Sequence, residues 1–357
     1  MLHATNVMGR WGIGRRAMGR RVMGDGATCD GAMGRRVMGR PHRVAPTVLF
    51  WWMPIAREIS RLLAMRAASK MPEVWECSVE ELRANVDSRV ALSGKPEEIL
   101  SREERRIDVD GGTIPVRVFH PLDNKPLPCI VFFHGGGWVH NTLDIYESSL
   151  RALANASGYA IVAVEYRKAP EHPYPIPLED CWTALQWCVA SADELGIDRT
   201  RVGVMGDSSG GNLAAAVALR ARDVVPLAFQ VLIYPCLDPR LETSSVKEFA
   251  TGFHLAKQGM QWYWEQYVPN ADDRLLPEVA PALANDVSDL PPTMIAVAEN
   301  DILRDEGLAY HEMLTTAGVR STSRVYEGMI HGFFTYGAIT PTYRTLIDDI
   351  AEWLKQW

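Results

Sequence analysis

The sequence predicts an α/β fold: a mostly parallel sheet covered by helices on both faces. Three observations predict it. Short apolar runs at 129–133, 160–164, 202–205, 229–234, 294–298 and 321–326 have the length of buried strands. Helix-length segments with a 3.6-residue period separate most of them, and such alternation sets strands parallel. A hairpin signal, Asp110-Gly111-Gly112 between runs at 106–109 and 113–119, precedes the series and adds an antiparallel edge.

Composition narrows the function. The chain has 357 residues, of which 47% are apolar and 23% charged, so it buries a large core and is no collagen-like, disordered or disulfide-scaffold protein. It holds no apolar run long enough for a spanning helix. The net charge of -7 divides unevenly. Residues 1–43 hold nine Arg and two Asp, while the rest holds 28 basic against 42 acidic residues. An acidic body offers no footprint for nucleic acid. Six cysteines, at 29, 77, 129, 181, 188 and 236, include no C-x-x-C, and Cys181 and Cys188 stand too far apart along one expected helix to bridge. Buried free thiols in a reducing compartment, hence a cytoplasmic protein, are expected.

The first fifty residues break the pattern. MGRRVMG at 18–24 recurs at 33–39, and nine of the 28 glycines fall before residue 44. Such a segment has no helical or strand period and builds no core. Residues 1–52 are therefore expected to be a disordered or non-native basic extension, with Met53 starting the folded chain. Order begins with Ile55, Ile59, Leu62, Leu63 and Ala67 on one helical face. Ser78 with Glu81 forms a capping box ahead of a second short helix carrying Leu82, Val86 and Val90. Lying before the first strand, the helices of residues 53–100 are free to cross the fold as a lid, leaving 101–357 as the main domain.

Gly206-Asp207-Ser208-Ser209-Gly210 is a G-x-S-x-G directly between a strand and an Ala-rich helix. That strand–turn–helix setting exposes Ser208 on a strained turn, as a nucleophile needs. His134-Gly135-Gly136-Gly137 follows the strand at 129–133, where glycines let backbone N–H groups approach a developing oxyanion. A serine hydroxyl needs a base, and three histidines follow it: His254, His311 and His331. His311 falls inside a helix and His254 in an irregular segment. His331 lies just past the strand at 321–326, where open α/β sheets bind ligands, and is the expected general base. For the acid that orients it, Glu299 and Asp301 compete at the end of the strand at 294–298, with Asp305 further off. Spacing leaves that choice open. No close-spaced His/Glu pair of the H-E-x-x-H kind suggests a metal.

HGGGW at 134–138, YRKAPE at 166–171, GDSSGGN at 206–212, DILRDEG at 301–307 and HGF at 331–333 together resemble the bacterial hormone-sensitive lipase family (family IV) of carboxylesterases, from about residue 55 to the end. The resemblance implies an α/β-hydrolase fold, with an eight-stranded, mostly parallel sheet and a helical cap made of the N-terminal helices and an excursion at about 242–268. It implies Asp301 as the acid, and the N–H groups of Gly136, Gly137 and Ser209 as oxyanion donors. Arg167 and Glu171 become scaffold. The chain departs from the family pattern by Ile302 for Pro and Ser209 for Ala.

The activity implied is cofactor-free hydrolysis of short-to-medium acyl esters through an acyl-enzyme. An amidase or lactonase would use the same triad. A ligand receptor on this fold is the rival, disfavoured because all three triad candidates are present. Trp138, Trp262, Tyr263 and Trp264 are expected to close the acyl end of the pocket. A homodimer stands open beside a monomer. A chain starting at Met53 should stay soluble, hydrolyse the same esters and melt within a few degrees of the full chain. Loss of soluble expression would make residues 1–52 part of the fold.

Overall fold

β-Branched and aromatic runs build the centre of the sheet. In the computed structural model, which describes residues 55–357 apart from residue 125, eight strands form one sheet. They are β1 (Ser101–Val109), β2 (Gly112–His120), β3 (Leu127–Phe133), β4 (Ala160–Val164), β5 (Ile197–Asp207), β6 (Gln230–Ile233), β7 (Thr293–Asn300) and β8 (Ser321–Ile330). Their order is β1-β2-β4-β3-β5-β6-β7-β8. The β1–β2 hairpin is antiparallel and joins β4 antiparallel, while the remaining pairs are parallel. The expected hairpin edge is therefore present. The expected extension at 1–52 and the start at Met53 lie outside the described residues.

Eleven helices are described: α1 (Arg57–Ser69), α2 (Val79–Ala84), α3 (Val86–Ser93), α4 (Leu143–Ser157), α5 (Ile176–Ala190), α6 (Ala192–Leu195), α7 (Ser209–Ala221), α8 (Ser244–Glu248), α9 (Lys257–Tyr267), α10 (Arg304–Thr316) and α11 (Thr342–Leu354). The two-residue period of a strand sends successive side chains to opposite faces. Val131, Phe133, Val162 and Val204 pack with Leu185 of α5 and Leu213 of α7. Ile130, Phe132, Ile161 and Met205 pack on the other face with Leu153 of α4 and Ile350 of α11. Burial on both faces is why these strands read as unbroken apolar runs. No helix among the described residues is long and apolar enough to cross a membrane.

The N-terminal helices differ from expectation in one respect. The single helix expected after Ser78 is two helices, α2 and α3, meeting at Asn85. The Asn85 side chain donates to Glu81 O at 3.0 Å, capturing a carbonyl of α2's last turn, and asparagine competes with the helix in this way. The capping box is formed: Glu81 N–H donates to Ser78 Oγ at 3.2 Å and Ser78 N–H to Glu81 Oε2 at 2.8 Å. Arg83 on α2 ties these helices down, donating to Val139 O (2.8 Å), Ala169 O (2.9 Å) and both oxygens of Glu171.

Candidate active site

Four strand ends supply the site. Ser208 follows β5, the glycine loop follows β3, Asp301 follows β7 and His331 follows β8, all at carboxyl ends of parallel strands. Ser208 occupies a left-handed conformation, φ 55° and ψ -121°, as the residue before α7. The turn carries Oγ to within 2.8 Å of His331 Nε2, and His331 Nδ1 lies 2.7 Å from Asp301 Oδ2. Asp301 Oδ1 accepts the Leu303 N–H at 3.0 Å, which fixes the carboxylate's rotation. The two competing acids are engaged elsewhere. Glu299 accepts the Gly328 N–H at 2.7 Å, and Asp305 accepts the Ser245 N–H at 2.7 Å and the Arg304 Nε–H at 2.9 Å. His311, inside a helix as expected, lies in α10 and contacts Ser321 Oγ at 2.8 Å.

The glycine loop faces the serine across the same opening. The N–H groups of Gly136 and Gly137 meet no acceptor among the described residues. Gly137 has φ +60°, and a Cβ there would lie 2.1 Å from the Tyr263 ring, so no larger residue fits. Ser209 is the first residue of α7, so its N–H is one of the donors a helix leaves unpaired at its start. Its hydroxyl is buried without a partner among the described residues and does not line the cavity.

Residues 130–335 match the family of the alpha/beta hydrolase fold. The chain belongs to this family. Within it, the hydrolase is similar to the carboxylesterase NlhH of Mycobacterium tuberculosis, with 42% identity over 247 residues covering 67% of this chain and 77% of that one. It is similar to the ethyl acetate hydrolase of Pseudomonas putida, 33% identical over 310 residues that cover 85% of this chain and 98% of the other. Among solved structures, the hyperthermophilic esterase of the archaeon Pyrobaculum calidifontis superposes with a TM-score of 0.80 at 36% identity, covering 85% of this chain and 99% of that one. These likenesses place the hydrolase in the hormone-sensitive-lipase-like branch that the motifs resemble.

Ser208 and His331 open into a cavity of about 490 Å³ beneath α1, α2, α3 and α9. Two of the four expected pocket aromatics, Trp138 and Tyr263, line it. Trp264 does not: it is buried in the core, with its ring 4.5 Å from that of Trp138. Trp262 does not line it either, and stands edge-on to Tyr263 at 5.2 Å. An α-helix turns about 100° per residue, so of three consecutive rings on α9 only that of Tyr263 reaches the cavity, Trp264 turns into the core and Trp262 leaves the buried face. Arg167 is scaffold as expected, donating to both oxygens of Asp180. Glu171 is scaffold too, through Arg83.

Asp207 went unnoticed in the sequence, although its place inside the G-x-S-x-G was the available signal. Its carboxylate accepts the Gly135 N–H at 2.7 Å and the Tyr146 hydroxyl at 3.1 Å, bracing the glycine loop against the serine turn. Burial pushes this carboxyl up to about 6, against the pull of the Gly135 N–H. The unfolded chain holds the group near 3.8, so between these values the native state binds the extra proton. This group's contribution to stability therefore falls as pH rises toward and through 6. Asp207→Asn removes that loss: relative to the parent chain, the variant should gain about 2 kcal/mol between pH 4 and pH 7.5. Urea unfolding at both pH values measures it. A stability gap that stays constant with pH would contradict the raised value.

Proposed function

We propose that this hydrolase cleaves carboxylic esters of short to medium acyl length, with Ser208 as nucleophile, His331 as general base and Asp301 as its orienting partner. The observation that carries the reading is the continuous line from Asp301 through His331 to Ser208 Oγ, ending at the cavity. Asp301 takes the Nδ1–H of His331, which leaves Nε2 free to accept the serine proton. Oγ attacks the ester carbonyl, and the N–H groups of Gly136, Gly137 and Ser209 receive the negative charge that forms on its oxygen. Nε2 then returns the proton to the departing alcohol. Water, activated by the same imidazole, releases the acid and restores the serine. The scheme calls on no metal or cofactor.

Two further parts of the proposal concern the setting. A cytoplasmic location is supported by the five described cysteines, all free thiols. A homodimer is supported by β8, which among the described residues ends the sheet with an open edge and exposed residues at 322–325.

Ser208→Ala and His331→Ala should each lower kcat by about 10⁴-fold or more while circular dichroism stays native. Asp301→Asn should be severely impaired, and Asp305→Asn far less so. Greater damage from Asp305→Asn on a folded chain would reassign the acid.

Acyl preference follows from the cavity. Each added CH₂ gains about 0.8 kcal/mol while it finds room, and overpacking costs about 1–3 kcal/mol once it does not. Among p-nitrophenyl esters, kcat/KM should peak at acyl chains of about two to six carbons and drop for long chains. A maximum at long chains, or activation at a lipid–water interface, would identify a lipase instead.

A further inference from the structure

Two guanidiniums reach the active-site cavity from the N-terminal helices, and one of them has no acidic partner. Arg66 of α1 lies 2.5 Å from His254 Nδ1 and donates to Glu73 Oε2 at 3.4 Å. Arg89 of α3 donates to His140 Nδ1 and Asn141 Oδ1, and pairs with no carboxylate among the described residues. Arg66, Arg89, His140 and His254 all line the cavity that holds Ser208 and His331.

The neighbouring groups leave the charge of Arg89 unbalanced. Burial, and then the Arg89 charge, hold the His140 imidazole well below its ordinary value. Neutral His140 thus accepts from Arg89 at Nδ1 and donates from Nε2 to the Tyr263 hydroxyl at 2.6 Å. Burial and the Arg66 charge act alike on His254. The acidic groups of the lining are Glu73, paired with Arg66, and Asp207, which is buried on the Gly135 N–H. The remaining lining includes Leu62, Leu63, Ile145 and Leu255. A guanidinium in largely apolar surroundings lacks full hydration, and a ligand carboxylate restores what it lacks through charge-assisted hydrogen bonds. The aliphatic walls suit a short carbon chain between that carboxylate and the ester.

Resting on the ester-hydrolase reading, we propose that Arg89 selects small esters that carry a free carboxylate. The bond broken is still the ester C–O bond, with water as co-reactant. The carboxylate takes no part in the reaction.

The test compares charged and neutral esters of matched size at pH 7.5 by pH-stat. Monoethyl adipate against ethyl hexanoate places the carboxylate on the acyl side, and O-butyrylglycolate against ethyl butyrate places it on the alcohol side. In at least one pair the charged ester should have a kcat/KM equal to or above its neutral counterpart. The charged-to-neutral ratio in that pair should fall about tenfold or more in Arg89→Gln and recover in Arg89→Lys. Neutral esters preferred in both pairs by the unmodified chain, a result that needs no variant, would overturn the proposal. So would a ratio that Arg89→Gln leaves unchanged, because an arginine that only supports His140 and Asn141 would slow both substrates alike. If no ester in either pair is cleaved, the ester-hydrolase reading falls and takes this one with it.

Discussion

The backbone at Ser208 turns through a left-handed conformation that costs an L-residue about 1–3 kcal/mol, and the site depends on that turn being held. It is held by contacts that leave no room for side chains. A Cβ on Gly206 would lie 2.1 Å from Gly210 O, and one on Gly210 would lie 2.0 Å from Phe133 O, at the end of β3. On the other side, the Ser208 N–H donates to Ile233 O at 2.9 Å, at the end of β6. The strained residue is thus pinned between the two strands that flank β5. Its Oγ position is set by the register of the sheet, which places His331, at the end of β8, within hydrogen-bond reach.

Asp207 extends that constraint to the glycine loop. A buried carboxyl raised to about 6 is a cost the fold carries near neutral pH, and here it spans the two halves of the site. One oxygen takes the Gly135 N–H while the other takes the hydroxyls of Tyr146 at 3.1 Å and Tyr234 at 3.4 Å. Tyr234 in turn accepts the Phe334 N–H at 3.2 Å, three residues past His331. One network therefore links the Ser208 turn, the glycine loop and the segment after His331. Such polar networks stay rigid only when every member is satisfied.

What the sequence shows most clearly is local chemistry. Ser208, the glycine loop and His331 were legible because a strand–turn–helix, a run of glycines and a strand-end histidine are each written in a few consecutive residues. Asp301 needed more, since Glu299, Asp301 and Asp305 all lie near one strand end. Spacing does not separate them; the family resemblance points to Asp301, and the partners of Glu299 and Asp305 agree with it. The cavity walls were not legible. Arg66, Arg89, His140 and His254 come from four separate segments, and no periodicity relates them. The three rings at 262–264 looked like a cluster in one dimension, but Met260, Tyr263, Trp264 and Tyr267 share the buried face of α9 and Trp262 does not. The break at Asn85 was hidden because Leu82, Val86 and Val90 keep helical spacing across it.

The N-terminal helices are bound to the glycine loop more closely than a free lid would be. Arg83 spans Val139 O, two residues beyond Gly137, and the carboxylate of Glu171 in the segment after β4. Arg89, one helix further on, contacts the next two residues of the same loop, His140 and Asn141. The loop proposed to present the oxyanion donors is thus held by Asp207 on one side and by two arginines of the N-terminal helices on the other. Moving α2 and α3 far enough to admit a bulky substrate would break charge-assisted hydrogen bonds to the loop whose geometry the chemistry requires. Access and catalysis are therefore coupled through the same few atoms, and that coupling favours a bounded cavity for small esters over an open groove.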